Sequence, residues 1–301
     1  MVSTSGGGFA LMVEALSLAG MTETPIVIVD AQRPAPATGL PTRTEQADLW
    51  YVLQAGHGEF VRMVSAPRTP EAAFDLTLKA YDLSSKYQIP AIILSDQQLA
   101  DTLVTVPRWD LGDVHLNRHL AEPGTYQEPY QRYALTPSGV SPRLVPMQTE
   151  WPVVADSDEH DESGHLSEDL DNRERMVEKR LRRQRDLLME LDDPLVLGGG
   201  PTLLVGWGSS FGALEELVQE YPADLRLVHF NEVWPLKTER LLAEMSQARM
   251  VIAVEGNATA QFAGLIARET GQRIEHTLGR WDGRPLTAAF IERRLHDMEV
   301  I

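Results

Sequence analysis

Cysteine is absent from this chain of 301 residues. Without thiols the protein cannot form disulfide bonds, use a thiolate nucleophile or supply the usual ligands of an iron–sulfur cluster. Long apolar runs are also missing: no stretch approaches the roughly 20 residues that a membrane-spanning helix needs. The N-terminus has neither the basic segment nor the apolar core of a signal peptide. We therefore expect a soluble, cytoplasmic protein without a membrane partner.

Basic residues are few relative to acidic ones. Twenty-seven Lys and Arg against 44 Asp and Glu leave a formal net charge of −17. This charge repels phosphate backbones, so we expect no nucleic-acid partner. Apolar residues make up 43% of the chain and charged residues 24%, which indicates a globular protein long enough for two domains.

Residues 1–105 alternate helix-like and strand-like runs, as a parallel sheet with covering helices requires. Thr69 is placed to cap a helix with Pro70 in its first turn, where the missing N–H costs no hydrogen bond. The run 90–96 is typical of a buried strand with polar groups at its carboxyl end, where open α/β sheets bind their ligands. We also predict a helix over 9–19 and strands over 26–29 and 60–64.

Residues 106–198 break this pattern with proline-rich and charged stretches, and we predict an irregular linker with one charged helix. The helix is expected to begin at Asp171, with Glu174 completing a capping box. Seven basic residues between Arg173 and Arg185 predict a positive face. This face is either solvated or clamps an acidic patch on a partner subunit.

Residues 199–301 return to alternation, with crossovers of the length that parallel strands need, and predict a second α/β domain. The segment Gly206-Trp207-Gly208-Ser209-Ser210 lacks the lysine of a P-loop and the last glycine of G-x-G-x-x-G, so we interpret it as a strand-to-helix turn. Strands are predicted at 203–206, 225–229 and 250–254, and helices at 211–221, 237–248, 258–271 and 286–298.

Small residues cluster at the start of the chain, in the run Ser3-Thr4-Ser5-Gly6-Gly7-Gly8. Glycines let a ligand approach backbone amides, and the helix that follows adds unpaired N–H groups and a positive dipole end. The segment is therefore either a ligand platform or a tight turn that needs positive φ angles.

A loop after the second predicted element contains Arg33, Thr38 and Thr42. An arginine at a strand end can hold a substrate carboxylate through two parallel hydrogen bonds, or it can lie at the surface without a ligand. The two threonines can bind a substrate or order the loop. Further along, His57 stands between two glycines and either donates to a substrate or is solvated.

Residues 158–165 read Asp-Glu-His-Asp-Glu-Ser-Gly-His, a composition compatible with a divalent metal. Such clusters are more often exposed acidic loops, and we predict no metal site in this chain.

Four segments, in their order and spacing, resemble the alpha subunit of 2-oxoacid:ferredoxin oxidoreductases: Thr4–Met12, Asp30–Thr42, Glu45–Leu49 and Gly56–Glu59. The first is similar to the Thr-Ser-Gly-Pro-Gly segment of thiamine diphosphate enzymes, with Gly7 in place of proline. The resemblance extends over residues 1–301. It implies an α/β fold of two parallel-sheet domains: a partial pyrimidine-binding domain over 1–105 and, after the linker, a transketolase C-terminal-like domain over 199–301.

In that family a glutamate that protonates the aminopyrimidine ring lies upstream of the Thr-Ser-Gly segment, whereas here Met1 comes almost directly before it. We therefore expect the first part of the pyrimidine-binding domain to be missing, through a shortened chain, a late start codon or a subunit divided into two polypeptides. The resemblance implies a catalytic and substrate-binding role for Arg33. The other implied substrate-binding residues are Thr38, Thr42 and His57, and the implied cofactor-binding residues are Thr4, Ser5, Gly6, Gly7 and Gly8. The run 158–165 is similar to a family segment at an interface or active-site wall.

The implied activity is oxidative decarboxylation of a 2-oxoacid to an acyl-CoA, with two electrons passed to ferredoxin; the spacing resembles the 2-oxoglutarate type most. Thiamine diphosphate and Mg²⁺ would be shared and held mainly by a beta subunit, which would also carry the 4Fe–4S cluster. The implied partners are this beta subunit in a hetero-oligomer, ferredoxin, the 2-oxoacid and coenzyme A. Two alternatives stay open: a non-catalytic assembly or regulatory subunit that retains the fold, and a stand-alone thiamine-dependent lyase. The missing Gly-Asp-Gly…Asn pattern argues against the lyase.

Overall fold

Two five-stranded sheets form the framework of the computed structural model, which describes residues 1–109, 111–122, 124–148 and 150–301. The first sheet contains β1 Val2–Thr4, β2 Ile26–Gln32, β3 Met63–Ser65, β4 Pro90–Asp96 and β8 Glu232–Trp234. The second contains β5 Leu195–Gly198, β6 Thr202–Trp207, β7 Leu225–Phe230, β9 Met250–Glu255 and β10 His276–Gly279.

Both sheets are mostly parallel. The first has the order β1-β2-β4-β3-β8, with only β8 antiparallel, and the second has the order β10-β9-β6-β7-β5, with only β5 antiparallel. Strands β4 and β6 are apolar along most of their length and buried on both sides, as parallel strands between two helical layers require. The predicted α/β fold class with two parallel sheets is confirmed.

Helices cover the two sheets. Those of the first half are α1 Gly6–Phe9, α2 Val13–Met21, α3 Leu49–Gln54, α4 Pro70–Tyr87, α5 Gln97–Asp101 and α6 Leu170–Glu190. Those of the second half are α7 Phe211–Glu220, α8 Glu239–Gln247, α9 Gln261–Thr270 and α10 Ala288–Asp297. Within the described ranges, every helix is too short or too polar to span a lipid bilayer.

The start of α4 confirms the predicted cap. The Thr69 hydroxyl accepts a hydrogen bond from the Ala72 amide at 3.1 Å, and Pro70 is the first helical residue. The predicted cap of α6 is wrong: Asp169, two residues before Asp171, caps the helix by accepting the Asn172 amide at 2.6 Å, and the helix begins at Leu170. Both Asp169 and Asp171 are suitable caps by residue type, so the sequence alone favours neither.

The predicted positive face of α6 is wrong at three of its positions. Lys179 and Arg183 are buried and both pair with the buried carboxylate of Glu23, and Arg180 pairs with Glu159 at 2.7 Å. These cations neutralise internal carboxylates instead of facing solvent. The apolar side of the same helix packs into the core of the first sheet through Leu187, with Leu191 just beyond its end.

Strand β8 links the two halves of the chain. It lies between β7 and α8 in sequence, yet it pairs with β3 of the first sheet, with Val64 opposite Trp234. The hydrophobic core is also shared: Phe9 and Ile92 belong to the same cluster as Trp207 and Phe262. The predicted domain boundaries at 105 and 199 stay a prediction, and contacts cross both of them.

Candidate functional site

The candidate site lies where β1, β2 and β4 end. Because these strands are parallel, their carboxyl ends meet at one edge of the sheet, with Thr4 opposite Asp30 and Gln32 opposite Asp96. This is the edge at which α/β proteins collect polar groups. The glycine segment and the Arg33 loop both begin there, since each follows directly on one of these strands.

The glycine segment turns directly into a helix. Ser5 is extended and helix α1 begins at Gly6, with ordinary negative φ angles at all three glycines. The alternative of a tight turn that needs positive φ angles is therefore wrong. Two of these positions have no room for a side chain, because other side chains lie close to their backbone. A β-carbon at Gly6 would lie 2.8 Å from Asp48 Oδ2, and one at Gly8 would overlap the Thr4 hydroxyl. At Gly7 a β-carbon would meet no atom within 4 Å, so this position faces open space.

Two buried carboxyl groups, those of Asp30 and Asp48, lie next to the glycine segment. Asp30 is 0% exposed, and neither of its carboxyl oxygens has a hydrogen-bond partner in the described part of the chain. Burial, with a smaller contribution from the charge of Asp48, raises the pKa of Asp30 to about 7. Burial also raises the pKa of Asp48 to about 6, although the guanidinium of Arg33 opposes this shift. Burial raises the pKa of the nearby Tyr51, and the charges of Asp48 and Asp30 add to this effect.

Arg33 is half-buried and lies within electrostatic range of Asp48. No carboxylate of the described residues lies within 4.0 Å of its guanidinium, so its hydrogen-bonding capacity is not used in an internal ion pair. Gly6 thus lies against Asp48, and the charge of Arg33 acts on the same side chain. Thr38 and Thr42 lie further along the loop, and both are exposed.

Gln46 attaches the base of the Arg33 loop, at its C-terminal end, to the second half of the chain. Its side chain donates to the Trp207 carbonyl at 2.9 Å and accepts the Gly256 amide at 2.8 Å. Its backbone donates to the Gly256 carbonyl at 2.7 Å and accepts from Asn257 at 3.0 Å. The second half therefore holds the base of the Arg33 loop.

His57 lies elsewhere. It lines a cavity of about 270 Å³ that includes Ser17, Glu59, Arg173 and Arg180 but none of the residues around Asp48. The Ser17 hydroxyl donates to the His57 carbonyl at 3.0 Å, and Ser17 is eleven residues beyond Gly6, roughly 16 Å along the helical segment. The structure thus brings Gly6 and Arg33 together and leaves His57 apart; its role stays a prediction.

The acidic run 158–165 is internally bonded. His160 is buried against the Tyr133 ring, with the ring centroids 3.9 Å apart, and Asp161 Oδ1 accepts the Ser163 and His165 amides. Within the described ranges, no group of three or more His, Cys, Asp or Glu side chains is placed to hold a metal ion.

The segments 206–210 and 255–257 each have a structural explanation. The prediction of a strand-to-helix turn after β6 is confirmed: a 3₁₀ turn over Gly208–Ser210 leads into α7. In this turn the Ser209 hydroxyl donates to the carboxylate of Asp96, so it connects the two sheets. The Glu255 carboxylate accepts the Phe262 and Ala263 amides at 2.8 and 3.0 Å and caps α9.

Three residues of the site were not predicted: Asp30, Asp48 and Gln46. A signal existed for Asp30, because a charged residue directly after the apolar run 26–29 is unusual in a buried strand. Asp48 and Gln46 lie in an ordinary polar loop, and only the fold brings them to the glycine segment and the second sheet.

Known proteins are similar to this chain over most of its length. Residues 1–179 match the family described as "Pyruvate flavodoxin/ferredoxin oxidoreductase, thiamine diP-bdg". The 2-oxoacid:ferredoxin oxidoreductase 1 subunit alpha of Sulfurisphaera tokodaii is 36% identical over 303 residues, covering 97% of this chain and 47% of its own length. The 2-oxoglutarate oxidoreductase subunit KorA of Mycobacterium tuberculosis is 37% identical over 229 residues, covering 72% of this chain and 33% of its own length.

A solved structure has nearly the same fold. The 2-oxoglutarate:ferredoxin oxidoreductase from Magnetococcus marinus, with 2-oxoglutarate, coenzyme A and succinyl-CoA bound, superposes with a TM-score of 0.91 at 32% identity. The match covers 98% of this chain and 52% of that one. The chain thus spans about half the length of the alpha subunit of Sulfurisphaera tokodaii and of this structure.

Proposed function

The chain belongs to the pyruvate flavodoxin/ferredoxin oxidoreductase family with a thiamine diphosphate-binding domain, and we propose that it is an alpha subunit of a 2-oxoacid:ferredoxin oxidoreductase. The reaction is oxidative decarboxylation of a 2-oxoacid to an acyl-CoA, with two electrons passed to ferredoxin. One observation carries the proposal: at the carboxyl ends of parallel strands the glycine segment lies against a buried carboxyl group, and this group is within electrostatic range of an arginine that forms no ion pair with the described residues. We favour 2-oxoglutarate as substrate, since it is bound in the Magnetococcus marinus structure.

Arg33 is the substrate-binding residue in this proposal. It follows directly on β2, and its guanidinium has no internal salt bridge among the described residues. A planar guanidinium can donate two parallel hydrogen bonds to the carboxylate of a 2-oxoacid. Thr38 and Thr42 are exposed on the same loop and can contribute hydroxyl groups to the substrate.

The segment from Thr4 to Gly8 fits one wall of a site for the aminopyrimidine ring of thiamine diphosphate. Gly7 leaves open space, and the amides at the start of α1 have no partner within the helix. When bound, the cofactor supplies the carbanion and the electron sink for decarboxylation. The chain's own contribution is to pack a flat ring against backbone and to hold the substrate carboxylate beside it.

The remaining components are assigned to a beta subunit. This chain has no cysteine to ligate a 4Fe–4S cluster. Mg²⁺ and the diphosphate are assigned to the same partner, which would also deliver electrons to ferredoxin. Coenzyme A enters the assembled cytoplasmic hetero-oligomer as the acyl acceptor.

The decisive experiment is reconstitution of the chain with its cysteine-rich partner subunit. We expect 2-oxoacid-dependent reduction of a viologen dye that also requires coenzyme A and thiamine diphosphate. Replacing Arg33 with Ala should lower kcat/KM for the 2-oxoacid about 100-fold, the effect of losing about 3 kcal/mol of charge-assisted hydrogen bonding. Arg293→Ala, at an exposed position on α10, is the matched control and should retain the activity.

Two results would contradict the proposal. If Arg33→Ala turns over the 2-oxoacid as well as Arg293→Ala does, Arg33 does not bind the substrate. If the reconstituted complex reduces no dye with pyruvate, a branched-chain oxoacid or 2-oxoglutarate, the chain is better described as a non-catalytic assembly or regulatory subunit.

A further inference from the structure

A cavity of about 560 Å³ lies at the junction of the two sheets. Arg68, which comes shortly after β3 of the first sheet, lines one part of it, and residues of β5 and β7 of the second sheet line another. The glycine segment and the Arg33 loop contribute no residue to its wall. The cavity is therefore separate from the site of the proposed function.

Asn231 holds the backbone of Arg68 at this junction. Its side-chain oxygen accepts the Arg68 amide at 3.1 Å, and its carbonyl accepts the Ala66 amide at 2.6 Å. The guanidinium carbon of Arg68 lies 5.3 Å from the centroid of the Phe211 ring. The same ring packs edge-on against the ring of His229, with the centroids 5.1 Å apart. Arg68 and His229, one from each half of the chain, thus contact the same aromatic side chain.

Arg68 is a cation of this cavity without a counter-ion. Within the described ranges, no carboxylate lies within 4.0 Å of its guanidinium. Arg240, which also lines the cavity, pairs with Glu244 at 3.0 Å. A planar guanidinium without an ion pair can hold an oxyanion through two parallel hydrogen bonds.

The carboxylates of the cavity wall are paired with lysines. Asp192 and Glu232 both lie 3.0 Å from the ammonium group of Lys79, and Asp193 lies 3.4 Å from that of Lys237. The side chains of Asp192 and Asp193 are 80% and 70% exposed, so water and salt screen their charges. An anion beside the unpaired guanidinium is therefore repelled only weakly from this side.

His229 supplies a second unused polar group. It is fully buried, and its Nδ1 has no hydrogen-bond partner in the described part of the chain. The Ser210 hydroxyl donates to the Trp207 carbonyl at 2.8 Å, so toward His229 Nε2, at 3.5 Å, it can only accept. Nε2 therefore carries the hydrogen and Nδ1 presents a lone pair. Burial, with the charge of Arg68, lowers the pKa of His229 to about 3, so the imidazole is neutral at pH 7.

These two groups define the chemistry of a ligand that would satisfy both. The guanidinium needs oxygen acceptors that carry negative charge, and the lone pair of the imidazole needs an O–H donor. Hydrogen phosphate and 2-hydroxycarboxylates combine both features in one small molecule. A buried ring nitrogen is costly to leave unpaired, which favours a ligand with the hydroxyl group over one without it.

We propose that this cavity binds a small oxyanion that carries a hydroxyl group, with Arg68 holding the anionic oxygens and His229 accepting from the hydroxyl. The bound anion connects the loop after β3 to β7 and so links the two halves of the chain. The inference does not depend on the proposed function, because the cavity shares no residue with the glycine segment or the Arg33 loop.

Calorimetric titration of the full chain, at pH 7 and constant ionic strength, tests the proposal with two pairs of probes. These are inorganic phosphate against sulfate, and lactate against propionate; only the first probe of each pair has a hydroxyl group at this pH. We expect phosphate, lactate or both to bind at least about tenfold more tightly than the matched probe. Which of the two binds identifies the source of the oxyanion.

Two variants separate the roles of the side chains. Arg68→Gln should weaken binding of the hydroxyl-bearing probe by about 10- to 100-fold, while Arg293→Gln, at an exposed position on α10, should bind it as wild type does. His229→Phe keeps a ring of similar size without a nitrogen, and it should bind the two members of a probe pair with affinities that differ by less than about twofold. If His229→Phe does not fold, the probe pairs and Arg68→Gln decide the matter.

Three results would overturn the proposal. The first is that neither phosphate nor lactate binds to the wild-type chain. The second is that the members of both probe pairs bind with equal affinity, since the hydroxyl group is then not recognised. The third is wild-type affinity in Arg68→Gln, which would place the anion elsewhere on the protein.

Discussion

Lys179 Nζ lies 2.8 Å from Glu23 Oε1, with both side chains fully buried. The guanidinium of Arg183 contacts the other oxygen of the same carboxylate. Burial by itself would raise the pKa of Glu23, but the charges of Arg183, Lys179 and Arg132 outweigh it and lower that pKa to about 2. This cluster attaches α6 to the turn between α2 and β2, so the long central segment of the chain is anchored on the first sheet by charge as well as by apolar packing.

Glu23→Gln should destabilise the protein by about 3–5 kcal/mol at pH 7, because it leaves two cations buried without their counter-ion. Urea unfolding measures the change, with Glu178→Gln at an exposed position on α6 as the control. The stability that wild-type Glu23 provides is present above its ordinary pKa of 4.5 and should be lost as the pH falls from there toward 2. Equal loss of stability in both variants would contradict this assignment.

Asp30→Asn should stabilise the protein, in contrast to Glu23→Gln. The pKa of Asp30 is raised from 3.8 to about 7, so the folded protein binds a proton that the unfolded chain has released, and stability falls as the pH rises between these values. At pH 8 we expect the variant to be more stable than wild type by on the order of 3 kcal/mol, with the difference shrinking toward pH 5. Thermal or urea unfolding at both pH values tests this, with Asp75→Asn as the control. A variant that is less stable than wild type at pH 8 would rule out an uncompensated carboxylate at this position.

Gln46→Ala should lower the stability of the protein moderately and weaken binding of the 2-oxoacid. It removes two hydrogen bonds to the second half of the chain and leaves the Trp207 carbonyl and the Gly256 amide unpaired, at a cost of about 1–3 kcal/mol. Because Gln46 holds the base of the Arg33 loop, we also expect a higher KM for the 2-oxoacid. Gln54→Ala, at the exposed end of α3, should leave both quantities unchanged. A destabilised variant with an unaltered KM would show that the loop is positioned by other contacts.

Thr69→Ala tests the one helix cap that the sequence predicted correctly. Loss of the hydroxyl that accepts the Ala72 amide should lower the free energy of unfolding by about 1 kcal/mol. Thr105→Ala, in an exposed irregular segment, removes the same atoms without a cap and should have no measurable effect. The expected difference in stability disappears if water can cap α4 equally well.

Local signals were enough to predict most of the framework. Strand β4 matches its predicted bounds, since its apolar run begins at Pro90 and ends at the polar residues Ser95 and Asp96. Strand β8 was not predicted, since three residues after β7 have no period to detect and their pairing with β3 is set by the tertiary fold. The glycine segment and Arg33 were predicted as parts of one site. Asp48, which lies between them, was not, because its importance arises from burial and from neighbours that are remote in sequence.

The placement of β8 has a consequence for any attempt to express the halves separately. A fragment that ends before residue 232 leaves the outer edge of β3 unpaired, while a fragment that starts near residue 199 carries an orphaned strand with no sheet of its own to join. Each piece would present exposed backbone hydrogen-bonding groups, the usual starting point for aggregation. Complementation in one cell, with both pieces synthesised together, is the arrangement in which a gene divided at this point would still yield a folded product.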